Sequence, residues 1–152
     1  MGRARATQLV AGPVAAVEAL WYEPDRWPAW IDGFGHVVSL HGEWPGEGSV
    51  LDWNSKPNGR GRVRERVTEY APGKGQSASI EDETLTGTQT VAFAPDGDRV
   101  RVTLTLEYSV KDRNALTPLV DALFIRRSMS ASLQRSLARF ARERAADGDL
   151  RH

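Results

Sequence analysis

The run RVRVTLTLEYSV at residues 99–110, followed by KDRNALTP at 111–118 and LVDALFIRRSMSASLQRSLARFARERAADG at 119–148, decides how this chain folds. In the first segment Val100, Val102, Leu104, Leu106 and Tyr108 fall on one side of an extended chain. Arg99, Arg101, Thr103, Thr105 and Glu107 fall on the other, the period of two that marks a half-buried strand. After it the period changes. Thr117-Pro118 reads as an N-cap with proline at the first helical position, and no Gly or Pro recurs until Gly148. A helix from 118 to about 145 would be roughly 42 Å long. At 100° per residue Leu116, Leu119, Leu123, Ser130, Leu133, Leu137 and Phe140 share an arc of about 120°, the stripe of a helix laid on a sheet. Arg126 and Ser130 interrupt that stripe, and any cavity is expected beneath them. Ile125 points away from it.

Working back from residue 99, punctuation by Gly, Pro and Asp every eight to fifteen residues divides the chain into a meander. Strands are expected at 36–41, 48–55, 60–70, 76–84, 87–94 and 99–110. Further back, Ala-Thr-Gln-Leu-Val-Ala at 6–11 reads as a short strand ended by Gly12-Pro13. A short helix carrying Val14, Val17, Leu20 and Trp21 on one face follows, and Pro24 stops it. A second helical turn covers residues 24–31, with Trp27 and Trp30. The fold class is therefore α+β: a seven-stranded curved antiparallel sheet wrapped around a long C-terminal helix, with two short helices after the first strand. Such a sheet exposes more apolar surface than two short helices cover, so the long helix must cover the rest. A twisted sheet and a straight rod need not meet everywhere, which leaves room for a cavity.

At 152 residues one domain is expected over 1–152, with an ordered core from about 5 to 145. Lys plus Arg and Asp plus Glu both number 20, so no net charge draws the chain to nucleic acid. The absence of cysteine removes disulfides and thiolate chemistry and suits a reducing compartment. With no long apolar run, stable membrane insertion is not expected and the cytoplasm is. His36, His41 and His152 lack metal-ligand spacing, so neither metal nor cofactor is expected. Hydrolase and nucleotide motifs are missing as well.

Several stretches together resemble the START/SRPBCC superfamily, in particular its bacterial polyketide cyclase/dehydrase-like members. They are Ala11-Gly12-Pro13-Val14-Ala15-Ala16-Val17-Glu18-Ala19-Leu20-Trp21, Asp25-Arg26-Trp27-Pro28-Ala29-Trp30-Ile31, the strand from Gly48 to Trp53, and Arg99-Val100-Arg101-Val102-Thr103. The resemblance spans nearly the whole chain and implies a helix-grip fold that binds a hydrophobic or aromatic small molecule. Some members are cyclases, aromatases or dehydratases, and others are lipid carriers.

Within that fold, Glu65 shares a strand face with Val63 and Val67, while Arg62, Arg64, Arg66 and Thr68 point the other way. Glu65 and Arg126 either pair inside a cavity, where they would polarise a carbonyl or move a proton, or Arg126 snorkels to an open end and Glu65 sits near the sheet edge. The catalytic candidates are Glu65, Arg126 and Tyr108. Tyr108 offers its hydroxyl to a ligand oxygen or to a backbone carbonyl. Trp30 and Trp53 serve as ligand walls or plain packing, whereas Trp21 and Trp27 read as structural. With Leu104, Leu123 and Ser130 these complete the ligand-binding candidates: Trp30, Trp53, Glu65, Leu104, Tyr108, Leu123, Arg126 and Ser130. Asp52 and Glu81 are expected at the surface. Arg60, Arg62, Arg64 and Arg66 form an exposed row on a solvated face that would support a homodimer. Three functions follow: a carrier or sensor of a hydrophobic small molecule, a cyclase or dehydratase, and a protein-interaction module using the arginine row or Ile125.

Overall fold

The computed structural model describes residues 2–57, 59–111 and 119–150, with the side chains of the last helix described from Ile125 to Gly148. The strands are β1 (Gly2–Ala11), β2 (Phe34–His41), β3 (Val50–Ser55), β4 (Arg62–Ala71), β5 (Gly75–Glu81), β6 (Leu85–Asp96) and β7 (Arg99–Val110). The helices are α1 (Val14–Trp21), a 3-10 turn (Pro24–Arg26), α2 (Trp27–Trp30) and α3 (Leu119–Leu150). All neighbouring strands are antiparallel in the order β1-β7-β6-β5-β4-β3-β2. This is the α+β helix-grip architecture, a curved sheet closed on one side by a long C-terminal helix. The expected cap Thr117-Pro118, together with Leu116, lies outside the described residues, as do the side chains of Leu119 and Leu123.

Most differences from the expected boundaries have local causes. β1 begins four residues earlier than its apolar signal, at Gly2. Its first inward residues are Ala4 and Ala6, which carry little strand propensity of their own, and pairing along the whole of β7 holds them extended. There is also a steric reason for glycine at the start. A Cβ on Gly2 would collide with the Tyr108 ring, which packs close against bare backbone there. β5 ends at Glu81 rather than 84 because Asp82 closes a turn. Its Oδ1 accepts from the backbone N–H groups of Thr84 (2.8 Å) and Leu85 (2.9 Å) and from the Thr84 hydroxyl (3.0 Å).

The main core gathers Val17, Leu51, Val63, Val100, Val102, Leu137 and Phe140, all fully buried. Phe140 of α3 stacks edge-on against Trp21 (5.1 Å) and Trp30 (4.9 Å). A second apolar cluster of Ala4, Leu85, Leu106 and Tyr108 receives Ile125, Met129 and Leu133 from α3. Ile125 therefore faces the sheet, contrary to the phase expected for it. The leucine spacing sets that phase, whereas the buried side of this part of the helix is offset toward Ile125 and Met129. Two ties hold the helix's far end: Arg144 donates to the Gly12 carbonyl (3.0 Å), and Arg26 bridges Glu143 (3.1 Å) and Asp147 (2.9 Å). Among the described residues no helix is long and apolar enough to cross a membrane.

Candidate functional site

On β3, Leu51 and Trp53 turn toward α3, and on β4 so do Val63, Glu65 and Val67, all buried. Register places Glu65 directly opposite Leu51 on one side and Ile80 on the other. Its carboxyl is thus set between two aliphatic neighbours. Trp53 lies opposite Val63, one diagonal step from Glu65, a separation an indole can span. Its Nε1–H donates to Glu65 Oε2 at 2.8 Å. Burial pushes the Glu65 carboxyl above its usual range, against smaller opposing effects of the Trp53 hydrogen bond and the Arg60 charge.

Arg60 is not part of the exposed arginine row. β4 begins at Arg62, so the alternation that exposes Arg62, Arg64 and Arg66 does not extend back to residue 60. Gly61, at φ +75°, turns the chain between them. The Arg60 guanidinium is brought over the Trp53 ring, 5.5 Å from its centroid, while its Nε donates to Asp82 at 2.9 Å. Burial would raise the Asp82 pKa, but the hydrogen bonds from Thr84, Arg60 and Leu85 outweigh it and hold this carboxyl low.

These groups surround a cavity of about 70 Å³ between sheet and helix. Its walls are largely aromatic and aliphatic, with Trp21, Trp27, Trp30, Trp44 and Trp53 beside Ile31, Leu104 and Leu133. Polar groups enter from two sides. Glu65 and Arg60 stand on the sheet side, while Asp32, Ser132 and Ser136 stand where the segment after α2 meets α3. Asp32 ties that segment down. Its carboxylate accepts from Ser132 (2.7 Å), Arg135 (3.0 Å) and Arg139 (3.3 Å), and its backbone N–H donates to Ser136 Oγ (2.8 Å). Burial opposes its ionisation, but those donors prevail and keep its pKa below the usual value.

Two donors on this wall lack partners. Trp27, Trp44 and Trp53 each place the indole N–H on an oxygen, at 2.8 Å in all three. By contrast, Trp30 Nε1 and Arg60 Nη2 are buried with no acceptor among the described residues. Leaving a buried donor unpaired costs about 1–3 kcal/mol, so each such atom calls for an explanation.

The structure places Trp30, Trp53, Glu65 and Leu104 on the wall of this one cavity. Tyr108, Arg126 and Ser130 do not line it. Tyr108 is buried in the second apolar cluster, where desolvation raises its pKa against the opposing charge of Arg126. Arg126 itself is exposed, and the cation acting on Glu65 is Arg60. Beneath α3 the cavity lies at Ser132–Ser136 rather than at 126–130. The Leu123 side chain lies outside the described residues. Asp52 does point outward but is not at the surface, because Arg64 grips it across the strand pair (2.9 and 3.2 Å) and Ser39 donates to it (3.1 Å). Glu81 is exposed, 3.3 Å from Lys111. Sequence reasoning missed Arg60, Asp32, Ser132 and Ser136. Gly61 was the available signal for the first, and the serines at spacing four on α3 for the last two. Among the described residues no cluster of His, Cys, Asp or Glu is arranged to hold a metal.

A family model described as polyketide cyclase/dehydrase and lipid transport matches residues 1–144, and the chain belongs to that family. Among curated proteins nothing matches. Solved structures similar to it include the di-domain aromatase/cyclase StfQ of the steffimycin biosynthetic pathway, at 22% identity and a TM-score of 0.74, covering 95% of this chain and 51% of that one. TTHA0849 from Thermus thermophilus is similar at 18% identity and a TM-score of 0.74, covering 96% and 99%. SA2116 from Staphylococcus aureus, a protein of unknown function, is similar at 9% identity and a TM-score of 0.75, covering 97% and 96%. At these identities the likeness concerns the fold, which is that of the START/SRPBCC superfamily.

Proposed function

We propose that this protein is a carrier or sensor that binds a small ring-bearing apolar molecule in the cavity between the sheet and α3. The observation that carries the reading is the wall itself, with five tryptophans lining one space beside Leu104 and Leu133. Aromatic surfaces of this kind offer stacking and edge contacts to another ring. Drug-sized ligands occupy pockets of roughly 300–1,000 Å³. A cavity of about 70 Å³ lies below that range and below the roughly 150 Å³ of an apolar cavity that holds benzene, so a ring would enter only as the wall side chains give way. The family's description, which joins cyclisation, dehydration and lipid transport, fits a hydrophobic ligand of some kind.

Native mass spectrometry of protein from its own host, with thermal melts against single-ring compounds, tests this. A true ligand at a hundred times its Kd should stabilise the fold by about 2.7 kcal/mol. If no small molecule co-purifies and no single-ring compound raises Tm, the carrier reading fails.

One observation favours a second reading, a cyclase or dehydratase. Glu65 is an enclosed carboxyl with a raised pKa, the property a general acid needs near neutral pH. Arg126 and Tyr108, the other acid–base candidates, stand outside this cavity's lining, so Glu65 would act with Arg60. Water loss from a β-hydroxy ketone bearing a ring, abolished in Glu65→Gln while ligand binding persists, would support catalysis. No turnover in the wild type excludes it for that substrate class.

A further inference from the structure

Among the described residues, the exposed large apolar side chains all sit on the two edge strands of the sheet. Leu9 is alone on β1, whereas Val37, Val38 and Leu40, at 36%, 41% and 44% exposure, stand together on β2. A single surface leucine is ordinary, but an apolar cluster on an open edge calls for an explanation. Register accounts for its position. Val37 lies opposite Trp53 and Leu40 opposite Leu51, so both are on the face that turns toward α3. That helix packs along β1, at the far side of the sheet, and leaves this part of β2 bare.

The two edges are guarded differently. β1 carries Arg3 and Arg5 and is packed by α3. β2, Phe34-Gly35-His36-Val37-Val38-Ser39-Leu40-His41, has no Lys, Arg, Asp, Glu or Pro, the residues with which natural edges refuse another strand. Bulges between Phe34 and His36 and between Val37 and Ser39 shorten the stretch that can pair without closing it. Charge is placed at the ends of the strand instead. Beside Phe34 stand Lys56, whose backbone N–H donates to the Gly33 carbonyl (2.8 Å), and Arg135 and Arg139, which share the one carboxylate of Asp32. Beyond His41 the turn to β3 carries Glu43 and Glu47 and no Lys or Arg. One end of β2 is therefore positive and the other negative.

We propose that β2 is the seam of a homodimer, in which two copies of this chain pair their β2 strands antiparallel about a two-fold axis and continue one sheet into the next. The two-fold sets the positive end of each strand beside the negative end of its partner, twice over. A parallel arrangement would bring like ends together and repel. Between the ends, an uncharged apolar strand meets an uncharged apolar strand. Pairing β2 on the partner's β1 would instead set it against Arg3 and Arg5 and would repeat into an open fibre. In the two-fold seam the free backbone N–H and C=O groups of the edge gain partners, and Val37, Val38 and Leu40 leave water. With one short, bulged strand from each copy, the dimer is weak and sensitive to salt. This seam is independent of what the cavity holds.

Sedimentation equilibrium of the whole chain at low salt, from about 1 μM to about 1 mM, tests it. The mass should rise from 16.8 kDa toward twice that value and no further. Val38→Lys and Leu40→Lys, at exposed positions outside the core, should each weaken association by about tenfold or more. Charge reversal tests the direction of pairing. Glu43→Lys and Lys56→Glu should each weaken self-association by setting like charges across the two-fold. An equimolar mixture of these two variants should recover it, because the mixed pair has unlike charges at both ends. In the wild type, amide exchange along β2 should slow as concentration rises, a readout that needs no variant to fold. A wild type that stays monomeric, a dimer that both Lys variants leave intact, or β2 amides whose exchange ignores concentration overturns the seam. Masses beyond the dimer overturn the two-fold arrangement. A mixture no more associated than its components overturns the antiparallel direction.

Discussion

Glu65 and Asp52 sit on neighbouring strands and illustrate how the face of a sheet sets the chemistry of a carboxyl group. Glu65 points into the aliphatic gap between Leu51 and Ile80, and burial raises its pKa. An acid with a folded-state pKa above its unfolded value near 4.5 destabilises the fold as pH rises through that window, because the ionised form is the costly one. Glu65→Gln should therefore gain stability over the wild type as pH rises above about 4.5, read as a urea midpoint that matches the wild type's at lower pH and separates from it at higher pH. Asp52 has the opposite sign. Its hydrogen bond to Arg64, helped by Ser39, holds its pKa below 3.8, so its contribution is complete above that value and is lost as pH falls through the folded-state pKa. Because the Arg64 side chain is 60% exposed, solvent screening keeps that contribution small. Asp52→Asn should lower the urea midpoint slightly at pH 7, with a difference that shrinks as pH falls below 3.8. The sequence places Glu65 on the valine face of its strand, either in a cavity or near the sheet edge, and expects Asp52 at the surface, where the structure instead buries it. That arginine would cover Asp52 was not legible there, since alternation reports which face a residue is on and not who sits across from it.

At the scale of the element, the turn before β4 and the helix α3 show where a periodic pattern stops being informative. Alternation counts correctly within β4 and then fails at its first residue, because Gly61 adopts φ +75° and breaks the parity that put Arg60 with Arg62. A Cβ at Gly61 would also meet the Glu83 side chain at 2.4 Å. Gly61→Ala should cost about 1 kcal/mol or more in a denaturant melt, and it should weaken ligand binding by displacing Arg60. For α3 the spacing located the helix and its buried Leu137 and Phe140, but not the inward turn of Ile125. It did not locate the cavity, which depends on where the Asp32 segment meets Ser132 and Ser136 across about one hundred residues of chain. Phe140, fully buried between Trp21 and Trp30, should cost about 3–5 kcal/mol when cut to alanine. Loss of less than about 1 kcal/mol in a urea titration would mean that α3 packs on the sheet elsewhere.

For the molecule as a whole, an even balance of charge coincides with local neutralisation of the outer face. Arg62 and Arg64 converge on Asp52, Arg101 pairs with Asp96, and Lys111 pairs with Glu81. Arginines partnered in this way displace fewer counterions from a polyanion than free ones do. The chain is expected to pass through a heparin column at about 150 mM salt without retention, and retention beyond that concentration would reopen the arginine face as a binding surface. The amino-acid sequence by itself determined the meander, the long helix that closes it, and the strand face that Glu65 shares with Val63 and Val67, because strand and helix periods are local properties of the chain. Only the tertiary structure decided that the inward Glu65 meets Trp53 and Arg60 instead of Arg126, and that the cavity opens under Ser132–Ser136. Those outcomes depend on diagonal register, one left-handed glycine, and contacts between residues far apart in the chain, and none of these leaves a periodic trace.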